Sequence, residues 1–157
     1  MSFFQRELRS STSQSNLSQV ATSTWLANLG TETGAWISVL VAEEAAKTLH
    51  RSDMDKLLEL MQVIPEGLAT TELPGLGQDR VGTVMRSFYS SLFSTVAPQF
   101  ERLQDPEMRE ITRRRTAEAV ADAHARVYAM VAKPENAYDK SILSHTAEEV
   151  RVLLGCS

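Results

Sequence analysis

The sequence predicts an all-α fold, a helical bundle of about five to six helices. Apolar residues recur at three- and four-residue steps through most of the chain. Strict alternation with branched residues never lasts five positions, and the Asn-Gly and Asp-Gly steps of tight hairpins are absent. Proline and glycine fall between the periodic stretches, where they would end helices.

Size and composition fit a globular domain. The chain has 157 residues, 43% of them hydrophobic and 23% charged, enough to bury a core. A net charge of −4 argues against a nucleic-acid binder. No apolar run reaches the ~18–20 residues of a transmembrane segment; Ala35–Ala42 stops at Glu43 and Glu44. Met1–Arg9 lacks the shape of a signal peptide. A single cysteine, Cys156, excludes an internal disulfide framework and suits the cytosol.

Residues 1–18 are serine-rich and read as a flexible segment; residues 19–157 read as the helical domain. Leu17, Val20, Ala21, Trp25, Leu26 and Leu29 space a first helix, stopped by Gly30. Trp36, Val39, Leu40, Ala46 and Leu49 space a second over Ala35–His50, and Trp25 and Trp36 are expected in the core. A third, Ser52–Ile64, takes Ser52 and Asp55 as its cap pair, with Met54 packed at its start. Leu57, Leu58, Leu60, Met61 and Ile64 form its apolar face. Residues 65–77 hold two prolines and three glycines and read as a long solvated connection.

Gln78–Thr95 carries the most aromatic stripe: Val81, Val84, Met85, Phe88, Tyr89, Leu92, Phe93 and Val96. Pro98 ends or kinks it. Asp105 and Pro106 then open the longest helix as N-cap and first helical residue. Its face is Met108, Ile111, Ala119, Val120, Ala123, Val127, Met130 and Val131, with Arg115 at the margin. Pro134 stops it. Thr146 and Glu149 form a capping box ahead of Val150, Val152, Leu153 and Leu154.

Catalytic patterns are missing. His50, His124 and His145 form no H-E-x-x-H or E-x-x-H pair, and Asp122 and His124 point to different sides of a helix. Cys156 lacks a basic partner. No nucleophile elbow, phosphate loop or dinucleotide fingerprint occurs. The chain reads as a non-enzyme with no cofactor and no metal; a small hydrolase would rest only on unplaced histidines and acids. Arg109, Arg113, Arg114 and Arg115 make the one dense basic run. Glu110 and Glu118, each four residues from Arg114, partly neutralise it. In the loop Pro134–Tyr138, Asn136 is placed to bond its own backbone two residues on, and Tyr128 and Tyr138 each to pack a ring. This loop folds the last helix back or forms a partner surface.

The segment VYAMVAKPENAYDKSILSHTAEEVRVLL, Val127–Leu154, resembles the C-terminal end of the sixth subunit of the conserved oligomeric Golgi complex, a vesicle-tethering complex. The matching residues include Val127, Tyr128, Pro134, Asn136, Tyr138, Ile142, Leu143, His145, Val150 and Leu154. The loop Tyr138–Ile142 departs in being shorter than in some animal members. The resemblance also touches Pro98-Gln99 and fades before Asp79. It implies the fold of the C-terminal domain of multisubunit tethering complex subunits and, since the family's members are several times longer, a C-terminal fragment, a truncated gene product or an incomplete gene model. It further implies a non-catalytic interaction domain serving retrograde intra-Golgi transport at the cytosolic face of Golgi membranes. Partners would be the other complex subunits, SNARE proteins and coat factors. The tail residues Tyr128, Pro134, Asn136, Tyr138, Leu143, His145, Val150 and Leu154 would then serve structure or a protein interface. The alternative is a generic helical adaptor that meets an acidic protein or membrane surface through Arg109, Arg113 and Arg114.

Overall fold

The computed structural model describes residues 34–92 and 100–156. Its regular structure is entirely helical: five α-helices and four short 3-10 turns, with no strand among the described residues. The helix expected at 16–29, with Trp25, and the segment expected to be flexible lie outside the described residues, as do Phe93, Val96 and Pro98.

The chain divides into two compact units, Met1–Val39 and Leu40–Ser157. Helical residues 34–50 are α1, of which 34–39 belong to the first unit. There Ile37 is buried, but Trp36 is 54% exposed and so is not the core residue its size suggested.

In the second unit α1 buries Glu44, Ala45 and Thr48, while Ala46 is exposed and Leu40 and Leu49 are half-buried. The buried face is thus turned by about one residue from the apolar stripe. Polar residues on this face find partners one turn away on the helix itself. The Thr48 hydroxyl donates to Glu44 O at 2.9 Å, and Lys47 Nζ lies 2.9 Å from Glu44 Oε1.

The second helix, α2, spans Met54–Met61 and starts later than expected. Asp53 precedes it at φ 62°, in the left-handed region, and makes no side-chain cap. Its carboxylate instead pairs with Lys56 at 2.9 Å and Arg80 at 3.1 Å, which hold its pKa below the usual carboxylate value. Ser52 does not cap; its hydroxyl donates to Leu49 O at 3.0 Å. Asp55 takes the His50 ring at 2.7 Å. Met54 and Leu57 are buried, as their positions implied, whereas Leu60 is exposed.

Residues 65–77 are largely exposed, as a connection would be, but they are anchored at two points. Thr70–Glu72 forms a 3-10 turn, and Thr70 and Leu76 are buried. Gly75 sits at φ 81°, where a Cβ would come within 2.7 Å of Leu60 Cδ1. The third helix, α3, spans Gln78–Leu92 and buries Val81, Val84, Met85, Phe88 and Tyr89. Gly82 lets the 140–142 turn approach closely; a Cβ there would meet Ile142 Cγ2 at 3.2 Å.

The fourth helix, α4, spans Pro106–Ala132. Asp105 caps it, its carboxylate accepting from Glu107 N at 2.9 Å. Val120, Ala123, Val127, Met130 and Val131 are buried as expected, while Met108, Ile111 and Ala119 are half-buried and Arg115 is exposed. Thr112, Thr116 and His124 are buried as well. Each threonine hydroxyl donates to the carbonyl one turn back, Met108 O at 2.7 Å and Thr112 O at 2.8 Å. This satisfies the hydroxyls without outside partners.

Candidate protein-interaction site

Residues 133–156 fold back onto α3 and α4. Lys133 leaves the helix in an extended conformation ahead of Pro134, and Pro134–Asn136 forms a 3-10 turn ending at Ala137, φ 57°. The Asn136 amide does not bond two residues on. Its Nδ2 reaches back to Met130 O at 2.8 Å, because the last carbonyls of α4 have no intrahelical donor.

The loop is pinned to residues 65–77 by two bonds that span the sequence. The Thr71 hydroxyl donates to Asn136 O at 2.9 Å, and the Tyr138 hydroxyl donates to Leu76 O at 2.7 Å. Tyr138 is buried, which raises its phenol pKa; the nearby Thr70 hydroxyl offsets part of that rise. Asp139 N donates to Gln78 Oε1 at 2.9 Å. The Asp139 carboxylate accepts from Ser141 N at 2.9 Å, which lowers its pKa.

The final helix, α5, spans Ala147–Leu153. Both halves of its capping box form: Glu149 N donates to Thr146 Oγ1 at 3.1 Å, and Thr146 N donates to Glu149 Oε2 at 2.8 Å. Thr146→Ala is expected to cost about 1 kcal/mol in urea unfolding. The helix closes at Gly155, φ 80°, with Cys156 N donating to Arg151 O at 2.8 Å. α5 has two faces. Val150 is fully buried and Leu154 half-buried, while Val152 is 62% and Leu153 44% exposed. Arg151 Nη1 reaches Asp122 Oδ1 on α4 at 3.3 Å.

At the start of this segment lies a cluster of aromatic and imidazole rings. Phe88 stacks on His124, centroids 5.4 Å apart and planes at 10°. Tyr89 meets the His145 ring edge-on at 5.1 Å, and half-buried Tyr128 is tilted 6.0 Å from His124. The Tyr89 hydroxyl lies 3.0 Å from His124 Nε2 and donates to His145 O at 3.3 Å. Burial pushes the Tyr89 phenol up to about 12 and His124 down to about 4, with His145 adding to the latter. Leu143 is half-buried against the core. His145 Nδ1 stands 3.7 Å from Glu149 Oε2. His124 is sealed from solvent, and burial raises the pKa of the half-buried Cys156 thiol. The described residues hold no cluster of three metal-ligating side chains.

A cavity of about 620 Å³ lies between the first half of α4 and the end of α5. Leu92, Phe100, Arg109, Arg113, Leu153 and Leu154 are among the residues that line it. The tail leucines and part of the arginine run therefore meet at one place. The guanidinium of Arg113 is taken up by Glu110, with bonds of 2.8 and 3.2 Å; Arg114 is exposed. Replacing Arg113 and Arg114 by glutamate is expected to shift stability by no more than about 1 kcal/mol, read as a thermal melt, since exposed pairs contribute little. The burial of His124, Thr112 and Thr116, and the Tyr89–His145 bond, were not apparent from apolar spacing. The only sequence sign was that His124 falls one residue from Ala123 and three from Val127.

Comparison with known proteins extends the resemblance. The family model for Conserved Oligomeric Golgi complex subunit 6, C-terminal, matches residues 9–154, reaching well before Asp79, where the chain carries no local motif. Conserved oligomeric Golgi complex subunit 6 of Arabidopsis thaliana is 23% identical over 137 residues, covering 85% of this chain. The chain spans 20% of that relative's length. No solved structure matches. With nearly the whole chain matched by the family model, the protein belongs to the family of Conserved Oligomeric Golgi complex subunit 6, as its C-terminal region.

Proposed function

We propose that this region is a non-catalytic protein-interaction domain of a Golgi vesicle-tethering complex subunit. It acts in retrograde intra-Golgi transport and Golgi organisation, at the cytosolic face of Golgi membranes, as a peripheral component. Other subunits of the complex are its partners, with SNARE proteins as further ones. The surface assigned to the subunit contact is the outer face of α5, Val152 and Leu153, continuing into the cavity lined by Leu154 and Arg109. The observation that carries this reading is the family match over residues 9–154. It is supported by the two-faced final helix, whose inner residue Val150 is buried while its outer residues Val152 and Leu153 are apolar and exposed. Peripheral attachment agrees with the lack, among the described residues, of a helix long and apolar enough to cross a membrane. Family membership favours this reading over a generic adaptor working through Arg109, Arg113 and Arg114.

Complementation tests it. Cells lacking the subunit receive the full-length protein with or without Thr146–Ser157. The expected result is a stable protein that fails to restore complex assembly and Golgi glycosylation when the tail is missing. Full restoration by the tailless protein would remove the role assigned to this end of the chain.

A further inference from the structure

Residues 60–75 form a loop that closes on itself. The Leu60 side chain lies against Gly75, where an added Cβ would meet Cδ1 at 2.7 Å. Thr70 is buried, and Met61, Ile64 and Leu73 pack against the core. The Thr71–Asn136 and Tyr138–Leu76 bonds tie the loop and its exit to the turn after α4. Closed loops packed by their own side chains frequently carry function.

The side turned to solvent is apolar. Leu60 is 42%, Val63 79% and Leu68 51% exposed. Single exposed apolar residues are ordinary. Here three of them share one short loop whose conformation is held by its anchors.

Charge decides the partner. From Leu57 to Asp79 the chain carries Glu59, Glu66, Glu72 and Asp79 and no lysine, arginine or histidine. The flanking bases, Lys56 and Arg80, are both taken up by Asp53, at 2.9 and 3.1 Å. Glu59, Glu66 and Glu72 are exposed and make no ion pair among the described residues, Lys133 and Lys140 beside the anchoring turn included. This surface repels anionic lipid and nucleic acid, and draws in a basic protein segment.

We propose that residues 60–72 are a docking surface for a basic amphipathic helix of a partner protein. The apolar face of that helix covers Leu60, Val63 and Leu68, and its lysines or arginines meet Glu59, Glu66 and Glu72. Because the loop is already fixed, little ordering cost opposes binding. The surface uses no residue of α5, so it adds a second contact to the one assigned there.

The probe is a synthetic peptide of about 18 residues, long enough for a helix, with leucine on one face and lysine on the other. Its counterpart carries glutamate in place of lysine. Amide NMR of the whole chain is the reading. The lysine peptide is expected to shift amides within residues 60–72, and the glutamate peptide to shift none. Val63→Ser with Leu68→Ser should weaken the lysine peptide about tenfold, since two apolar contacts are lost. Glu59→Gln, Glu66→Gln and Glu72→Gln together should weaken it as much and flatten its dependence on salt between ~0.05 and ~0.5 M. All five positions are exposed, so both variants should melt like wild type. Should either not fold, the wild-type shift map decides by itself. Equal binding of the two peptides, shifts outside residues 60–72, or wild-type affinity in the serine variant would overturn the proposal. So would failure of the lysine peptide to bind the full-length subunit, which would show the loop covered by the subunit's own chain.

Discussion

Tyr138→Ala is expected to lower stability by about 3–5 kcal/mol in urea unfolding, and Tyr138→Phe by about 1–2 kcal/mol. The difference separates the two jobs of this residue. Alanine removes a buried ring and opens a cavity that neighbours only partly fill. Phenylalanine keeps the ring but leaves Leu76 O, buried beneath it, without its donor. Because that bond ties the loop after α4 to residues 65–77, both variants should also loosen the 65–77 segment. Tyr128, half-buried and with no hydroxyl hydrogen bond among the described residues, should cost clearly less when cut to alanine. Equal losses at the two tyrosines would show that the Leu76 bond contributes nothing.

Phe88→Ala should cost a similar ~3–5 kcal/mol, and Phe88→Leu no more than about 1.5 kcal/mol. Phe88 is fully buried in the centre of α3 and stacks on His124. Removing its ring leaves a void beside an imidazole whose Nδ1 has no partner among the described residues. Water entering that void would solvate Nδ1, so the alanine variant should unfold more easily yet show a His124 titration nearer the ordinary ~6.5. Leucine refills most of the volume and should keep the titration low. NMR titration of the imidazole alongside the denaturation curve checks both parts.

How legible this was depends on the range of the interactions. The Asp105–Pro106 start, the Pro134 stop and the Thr146–Glu149 capping box involve residues within a few positions of each other, and all three formed. The buried stripe of α3 was equally legible, since Val81 to Tyr89 are apolar at helical steps. The Ser52 cap failed because Asp53 takes a left-handed turn held by Arg80, which lies on the next helix. The docking of residues 65–77 was hidden because Thr71 and Tyr138 find their partners more than 60 positions away. The face of α1 differs from its apolar stripe because Glu44 and Thr48 find polar partners within the helix and so tolerate burial. His124 was hidden for the same kind of reason: its partners, Phe88, Tyr89 and His145, come from elements that sequence spacing cannot bring together.

In the proposed function α5 is held by its inner face and works by its outer one. Val152→Asp with Leu153→Asp, placed in the full-length subunit, separates these directly. Both residues are exposed, so the fold should stay within about 1 kcal/mol of wild type. Val150→Asp, on the buried face, should instead unfold the tail and serves as the contrast. Quantitative pull-down of the other complex subunits is the measurement. The Val152–Leu153 variant should melt like wild type and recover less than a tenth of the partner subunits, a loss of at least ~1.4 kcal/mol in binding. Wild-type recovery by a variant that is folded and expressed would contradict it.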